Sequence, residues 1–459
     1  MSTDEVIRIR KGLDIPLAGP PSPDVADGIA GSTVAIQPGE YAGLKPRLMV
    51  KEGDSVLRGT PVLYDKRNPA FKVCSPTAGV VREISLGPRR AIERVVIAVA
   101  SEDRAEKRPV FSRSNMDAMS RAEALEVLQS SGLLCLVEQR PYARAASADA
   151  QPKAIFVNGM STAPFQADAR VVIRGREAEF QGGLNVLRRL TAGPVYLCLP
   201  PASPDEPRAM SQAQGVEIRR FSGPHPSGNS SVHIHHLSPI QPGETVWTIR
   251  AEDVVLIGSL FLTGEYPATR IVALGGPGVR EGGARHYRVR ICGELAPLLK
   301  DRLGEGEMRI ICGDALSGVA AGASGHLPMR GGSLTVVPED RARHIYGWLM
   351  PGFRVFSHSR LFVSTWLRLK KRRPLGTNLH GSPRPMIVTG LYDRYLPMRI
   401  WPDYLLRAIL AKDFEEAVQL GLLEVAPEDF ALPAFVCPSK MDLVAVVRQG
   451  LAEAEAEGI

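Results

Sequence analysis

Short apolar runs separated by glycine and proline dominate the first 100 residues of the chain. The segment Arg94–Val99 and the phrases Val50–Val56 and Ser75–Val81 have the composition and spacing of short strands. Glycine- and proline-containing turns separate them, and strong helical repeats are missing from the stretch. We therefore predict a β domain over residues 1–105.

Strand and helix signals alternate over residues 106–255. The apolar runs Lys153–Gly159 and Val195–Leu199 favour strands, and Glu177–Leu190 between them has the pattern of a helix. Apolar strands that alternate with helices indicate a parallel sheet covered by helices. We predict that this region is a Rossmann-like α/β domain.

Local signals in the α/β region define a further helix and raise the question of phosphate binding. Ser120 with Glu123 makes a capping box, and Gly132 ends the helix that they begin. The glycines of this region raise the possibility of phosphate contact. Neither Gly-x-Gly-x-x-Gly nor Gly-x-x-x-x-Gly-Lys-Ser/Thr occurs in the chain, so we predict no nucleotide site.

A different pattern marks residues 256–335. Two strands, Arg270–Leu274 and His286–Ile291, flank a glycine-rich loop, which we interpret as a hairpin turn because no helix follows it. A short helix at Glu294–Leu303 and a third strand at Met308–Cys312 complete a ββαβ unit. This order is compatible with a β-grasp domain.

The C-terminal region, residues 336–459, is predicted to be mainly helical. Tyr404–Leu410 and Phe414–Leu420 have helical spacing, and Ser439 with Asp442 predicts a capping box for the last helix. The fold class is therefore α+β with several domains, as 459 residues also suggest.

The N-terminal β domain is similar to the barrel of biotinyl and lipoyl carrier domains. The turn Lys51–Asp54 and the later phrase Ser75–Val81 flank a second turn at Asp65–Pro69. Lys66 lies there roughly where a carrier's modified lysine would be, but Arg67 and its neighbours replace the usual small or apolar residues. Two interpretations follow, a solvated turn or a carrier that is modified at Lys66.

Composition and charge exclude several classes of protein. Apolar residues make up 44% and charged residues 23% of the chain, as in ordinary globular proteins. The net charge of +7 lacks the stripe expected of a nucleic-acid binder. No apolar run reaches the ~18 residues of a membrane span, and the N-terminus is polar and acidic, unlike a signal peptide. We expect the chain to stay in the cytoplasm.

The six cysteines are scattered through the sequence. They form no Cys-x-x-Cys pair and have no histidine at zinc spacing, so neither a metal site nor an iron–sulfur site is predicted. Cys437-Pro438 resembles the end of an iron–sulfur run, but the companion cysteines are missing.

Four of the nine histidines lie between His225 and His236. If residues 232–236 form a strand, His233 and His235 share one face and could bind a metal, move a proton or contact a quinone. A structural role is the alternative. We take His225, His233 and His235 as candidate quinone contacts, and we assign no metal ligand and no catalytic residue.

One basic cluster stands out, formed by Arg368, Lys370, Lys371, Arg372 and Arg373. Such a run is commonly a solvated face. The alternative is contact with acidic lipid or an acidic partner, because a basic side chain near an anionic surface gains about 1 kcal/mol. These five residues are candidate membrane or partner contacts.

Several longer motifs, spread over nearly the whole chain, resemble the NqrA family, whose members belong to the bacterial sodium-translocating NADH:quinone oxidoreductase. The matching segments are Ile9–Gly19, Glu40–Pro46, His225-Pro226 with His233–His235, Asn378–Met386 and Phe435–Lys440. The family is similar to the flavin-bearing subunit of complex I and to the RnfC protein of the Rnf complex, and this resemblance implies a Rossmann-like layer and an SLBB-like β-grasp domain. Together these motifs are more specific than any single glycine motif.

This resemblance implies a peripheral subunit on the cytoplasmic face of the bacterial inner membrane. It implies five partner subunits, which hold the flavins and iron–sulfur centres of a complex that oxidises NADH, reduces ubiquinone and exports sodium. The chain itself is expected to hold no cofactor, to contribute to ubiquinone binding and to contact no nucleic acid. The alternatives are the carrier modified at Lys66 and a purely architectural subunit.

Overall fold

The computed structural model describes residues 5–322, 325–342, 346–353, 355–367, 372–387 and 390–459. The strands up to residue 100 are β1 (Val6–Arg8), β2 (Ser22–Asp27), β3 (Thr33–Ile36), β4 (Pro46–Leu48), β5 (Ser55–Val56), β6 (Pro61–Asp65), β7 (Lys72–Cys74), β8 (Gly79–Leu86) and β9 (Ile92–Val99). Sheets β3-β9-β8-β5 and β4-β6-β7 form the barrel-sandwich that the sequence predicts.

The first two strands leave the barrel and join other sheets. Strand β1 pairs in parallel with Glu217–Ser222, and β2 pairs in parallel with Arg285–Arg290. The division in which residues 1–105 form one domain stays a prediction, and within it β1 and β2 are hydrogen-bonded to strands of later regions. A strand of three to six residues carries little information about its partner, so tertiary contacts select the sheet.

The α/β region carries the alternation of strands and helices that the sequence predicts. Its elements are α1 (Arg113–Ala118), α2 (Arg121–Ser131), β10 (Glu138–Arg140), β11 (Arg144–Ala145), β12 (Ile155–Asn158), α3 (Ala169–Ile173), α4 (Glu177–Leu190), β13 (Val195–Leu199), α5 (Arg208–Ser211), β14 (Glu217–Ser222), α6 (Ser230–Leu237), β15 (Val246–Arg250) and α7 (Ala251–Thr263). The sheet order is β1-β14-β13-β12-β15-β10-β11, parallel from β1 to β15. Helix α2 begins at the predicted capping box of Ser120 and Glu123.

Glycines of α4 and α7 allow these two helices to pack closely. A Cβ on Gly183 would lie 2.2 Å from the carbonyl oxygen of Val254, and one on Gly258 would lie 1.7 Å from that of Glu179. The phosphate contacts considered for Gly182 and Gly183 are therefore replaced by packing of α4 on α7. The predicted domain division at 255/256 falls inside α7, which packs on this layer through its apolar side.

The next region contains the predicted ββαβ order. Its elements are β16 (Thr269–Gly275), β17 (Arg285–Arg290), α8 (Leu295–Leu299), β18 (Met308–Cys312), β19 (Val319–Ala321) and β20 (Ser333–Pro338). Strands β16 and β17 are antiparallel, which confirms the hairpin turn at the glycine loop. They belong to the sheet β19-β18-β20-β16-β17-β2, and α8 is shorter than predicted.

Helices form the C-terminal region, as predicted. They are α9 (Pro402–Ala411), α10 (Phe414–Gln419), α11 (Ala431–Val436) and α12 (Leu443–Glu457). The capping prediction at Ser439 is wrong, because Asp442 is the N-cap of α12 and its carboxylate accepts from the Ala445 amide. The Ser439 hydroxyl instead donates to the Pro385 carbonyl at 2.9 Å.

Short 3-10 helices connect many of these elements. They are Pro38–Glu40, Pro88–Arg90, Leu133–Leu136, Gly347–Leu349, Val363–Thr365, Tyr392–Arg394, Leu422–Glu424 and Pro427–Phe430.

The parallel sheet is the centre of the molecule because its two faces enter different cores. Ile155 and Val157 of β12 pack into a core shared with the barrel and with α4 and α7. Phe156, between them, faces the opposite way into a core shared with the C-terminal helices. Alternation along one strand thus joins the barrel and the helical region through the same layer.

Candidate functional site

A polar crevice lies where the order of the parallel strands reverses. From β12 the chain proceeds to β13 and β14 on one side, and then returns to β15 on the other side. The crevice is bordered by Asn158 at the carboxyl end of β12 and Arg250 at that of β15. Open α/β sheets bind their ligands at such reversal points, because the connecting loops separate there.

Side chains from several regions line this switch-point crevice. Arg140 comes from β10, Arg330 from the loop before β20, and Glu428 from the C-terminal region. The remaining polar lining consists of Glu138, Asn158, Ser161, Gln166, Asn229, Ser230, Thr248, Arg250 and Glu252. The crevice therefore depends on how three regions of the chain pack together.

Arg140 is the centre of an ionic network on one wall. Its Nε lies 2.7 Å from the Glu138 carboxylate, its Nη1 donates to the Ser231 hydroxyl at 3.0 Å, and its Nη2 reaches Glu428 at 3.4 Å. Arg330 approaches the same Glu138 at 3.3 Å. Burial opposes ionisation of Glu138, but the charges of Arg140 and Arg330 hold its pKa below the usual value.

Glu428 is the titratable group of this wall. Burial raises its pKa to about 7, and the nearby carboxylates of Asp429 and Glu138 act in the same direction, against the opposing charge of Arg140. The side chain nevertheless keeps 43% of its surface exposed. Glu428 can therefore exchange a proton with solvent near neutral pH.

On the other wall, the buried Asp253 carboxylate is bonded to two arginines. Arg250 Nε donates to Asp253 at 3.1 Å, and Arg270 Nη2 donates to the other oxygen of the same carboxylate at 3.0 Å. Although burial disfavours the charged form, these two arginines lower the pKa of Asp253. The network fixes Arg250 at the end of β15.

The histidines do not form the strand face that the sequence suggests. His233 and His235 lie on α6, where residues two apart point in different directions. His233 is fully buried, its Nε2 lies 3.0 Å from the Ser227 carbonyl oxygen, and burial lowers its pKa to about 3. Its ring centroid lies 4.4 Å from that of Phe221.

His235 and His225 serve as contacts between regions. His235 Nδ1 lies 2.8 Å from the Glu424 carboxylate, and its Nε2 accepts from the Arg399 amide. His225 Nδ1 lies 3.1 Å from the Thr162 hydroxyl. The lining of the switch-point crevice does not include the three candidate histidines.

The basic cluster is only partly described. Arg368, Lys370 and Lys371 lie outside the described residues. Arg372 is exposed, whereas Arg373 donates to the carbonyl oxygens of Val355 at 2.9 Å and Ser364 at 3.2 Å. Arg373 therefore anchors the chain at this point.

Thiols and carboxylates do not assemble a metal site in the part of the chain that is described. All six cysteines are free, and Cys437 Sγ lies 2.9 Å from the Tyr392 hydroxyl. No group of three or more histidine, cysteine, aspartate or glutamate side chains there has the arrangement to hold a metal ion.

No described helix combines the length and apolar character needed to cross a bilayer.

Sequence patterns missed most of the crevice. Asn158 and Arg250 were detectable, because each ends an apolar strand of the α/β layer, where polar side chains meet at one edge of the sheet. Arg330 lies at least 80 residues, and Glu428 at least 178 residues, from the ends of those strands. No local sequence pattern marks either residue as part of a site. Only tertiary packing brings them to the same crevice.

Two family models match the chain. The NqrA N-terminal barrel-sandwich hybrid domain covers residues 7–100, and the NqrA second alpha/beta domain covers residues 119–266. Among solved structures, an NAD+-reducing [NiFe]-hydrogenase in the H2-reduced state aligns with 75% of this chain and 63% of its own, at 14% identity and a TM-score of 0.39. That likeness is too low to support an argument about function.

Curated relatives match over their full length. The NqrA protein of Photorhabdus laumondii, from its Na(+)-translocating NADH-quinone reductase, is 37% identical, covering 99% of this chain and 100% of the relative. Proteins of the same name from Psychromonas ingrahamii and Neisseria meningitidis are 36% and 37% identical, with the same coverage. The chain therefore belongs to the NqrA family of Na(+)-translocating NADH-quinone reductase subunits.

Proposed function

We propose that this chain works as the NqrA component of a sodium-translocating NADH:ubiquinone oxidoreductase at the cytoplasmic face of the bacterial inner membrane. In this proposal it joins five partner subunits, helps to bind ubiquinone for reduction and supports assembly of the complex. The full-length similarity to curated NqrA proteins carries the proposal. NADH oxidation, the flavins and the iron–sulfur centres belong to the partners.

The switch-point crevice is the proposed place of quinone contact. The two carbonyl oxygens of a quinone accept hydrogen bonds, and Arg250 and Arg330, both in the lining, supply donors. The location at a strand-order reversal supports a ligand site. Quinone contact by His225, His233 and His235 stays a prediction, which the photolabelling experiment described below also tests.

Co-purification tests membership of the complex. A tagged chain expressed from its own chromosome is expected to isolate five partner subunits from detergent-solubilised membranes, and the separated chain should lack flavin absorbance. Stoichiometric flavin in the separated chain would contradict the cofactor-free role. An intact mass above that of the unmodified chain, localised to Lys66, would support the carrier alternative.

Photolabelling tests the quinone contact. A photoreactive ubiquinone analogue is expected to label peptides of the crevice, and Arg330→Gln should weaken labelling by about tenfold, the effect of losing one charged donor. Arg288→Gln, an exposed arginine on β17, is the matched control. Normal co-purification without crevice labelling would indicate a purely architectural role.

A further inference from the structure

Large apolar side chains are exposed along the stretch of chain between β20 and α9. They are Tyr346, Leu349, Phe353, Leu361, Trp366 and Leu367, each substantially exposed, with Trp366 at 81%. Monomeric proteins rarely expose so many large apolar side chains within a short stretch without a partner for them. This set is called the aromatic surface below.

Hydrogen bonds hold the aromatic surface in place from its inner side. The Val363 amide donates to the Pro351 carbonyl at 2.9 Å, which joins the two halves of the stretch. The buried Ser364 hydroxyl donates to the Val355 carbonyl at 2.6 Å, and Arg373 donates to both Val355 and Ser364. These hydrogen bonds pair polar groups on the inner side of the stretch, whereas its large apolar side chains are exposed on the outside.

The stretch is also attached to the body of the protein. The Arg373 amide donates to the Pro16 carbonyl at 2.7 Å, and the Ala18 amide donates to the Arg373 carbonyl at 2.9 Å. The Phe356 ring lies 6.1 Å from that of Phe435 on α11. The aromatic surface is therefore carried by the folded protein.

The same stretch of sequence contains basic residues but no acidic ones. Residues 341–392 contain ten lysines and arginines and no aspartate or glutamate. The whole chain has 56 basic and 49 acidic side chains, so the other residues hold 46 basic against the same 49 acidic. The excess positive charge of the protein thus accompanies the aromatic surface, and Arg360 and Arg372 are exposed on either side of Leu361–Leu367.

We propose that the aromatic surface binds directly to a bilayer that contains anionic phospholipid. Tryptophan, tyrosine and leucine would enter the interfacial region, and the exposed Arg360 and Arg372 would contact lipid phosphates. This inference rests on the proposed function and deepens it, since it names the surface through which the protein meets the membrane.

The absence of acidic residues over this sequence favours lipid over a protein partner. Protein interfaces are depleted in lysine and match charges of both signs, whereas this stretch includes Lys370 and Lys371 and is uniformly basic. A uniform positive charge suits a laterally uniform negative surface.

Vesicle sedimentation with the purified full-length chain tests the proposal. At 50 mM NaCl we expect binding to vesicles of three parts phosphatidylcholine to one part phosphatidylglycerol, weak binding to pure phosphatidylcholine, and release at about 500 mM NaCl, where charges are screened. Trp366→Ser should reduce the blue shift of tryptophan emission on binding. Trp401→Ser, at an exposed tryptophan outside the stretch, should retain it.

A double charge-reversal variant provides a second test of lipid binding. Arg360→Glu with Arg372→Glu should weaken binding roughly 30-fold or more, from about 1 kcal/mol for each lost arginine. Lys66→Glu with Arg67→Glu, two exposed residues in the barrel turn, is the matched control and should bind like the unaltered chain. Thermal unfolding of each variant checks that it is folded.

Three outcomes would overturn lipid binding. They are no sedimentation at low salt, equal binding to neutral and anionic vesicles, or equal loss in the test and control pairs. If the variants instead lose partner subunits in lipid-free detergent, the surface binds protein. Because vesicle binding involves no reductase activity, its failure alongside normal co-purification would leave the proposed function intact.

Discussion

At the scale of single residues, the crevice combines fixed charges with one group that titrates near neutral pH. Arg140, Arg250 and Glu138 are each held by at least one ion pair. Glu428 differs, because burial raises its pKa to about 7 while its side chain still reaches solvent.

Glu428→Gln is expected to change the pH dependence of stability. The pKa of Glu428 rises from 4.5 to about 7 on folding, so the folded chain binds more protons than the unfolded chain between these values. The stabilisation from this group is present below the unfolded pKa and is lost as pH rises through the folded pKa. The unaltered chain should therefore lose stability relative to Glu428→Gln between about pH 5 and 7.5.

Urea unfolding midpoints at several pH values in that window measure this difference. Glu415→Gln, on the exposed side of α10, is the control and should follow the unaltered chain. Parallel curves for the unaltered chain and Glu428→Gln would show that Glu428 is ionised throughout.

At the scale of elements, the close contact between α4 and α7 depends on glycines in both helices. Added Cβ atoms there would overlap backbone oxygens, which cannot move as a side chain could. The contact holds the helices that cover one face of the parallel sheet, and hence the strand ends that border the crevice.

Gly258→Ala is expected to destabilise the α/β layer by ~1–3 kcal/mol, the usual cost of overpacking. The urea midpoint followed by far-UV circular dichroism should fall accordingly. Gly39→Ala is a matched control, because no atom lies within 4 Å of the position of its added Cβ. Equal midpoints for both variants would show that α4 and α7 can separate without cost.

At the scale of the whole molecule, the N-terminal segment ties three regions together. Strand β1 lies in the α/β sheet, β2 lies in the mixed sheet with β17, and the chain then enters the barrel. The Asp14 carboxylate, between β1 and β2, accepts from the His225 amide at 2.9 Å. The segment therefore acts as a shared edge of two sheets.

Removal of residues 1–27 is expected to loosen those two sheets while leaving the barrel folded. Amide hydrogen exchange should quicken in β14 and β17, which lose their hydrogen-bonded neighbours, and should stay unchanged in β8, which pairs with β9 and β5. Faster exchange throughout the chain would indicate that the regions unfold as one unit.

Local sequence signals determined much of this protein. The capping box at Ser120, the period of α4, the hairpin between β16 and β17 and the composition of the barrel strands all depend on neighbours within a few residues. The motifs of the NqrA family were likewise readable from the chain alone.

Tertiary structure alone decided the rest. Residues 230–237 became a helix, β1 and β2 joined distant sheets, and Arg330 and Glu428 met at one crevice. The physical reason is that these outcomes depend on pairing and burial between segments far apart in sequence. The free energy of the whole fold determines such contacts, and it cannot be deduced from a short window of residues.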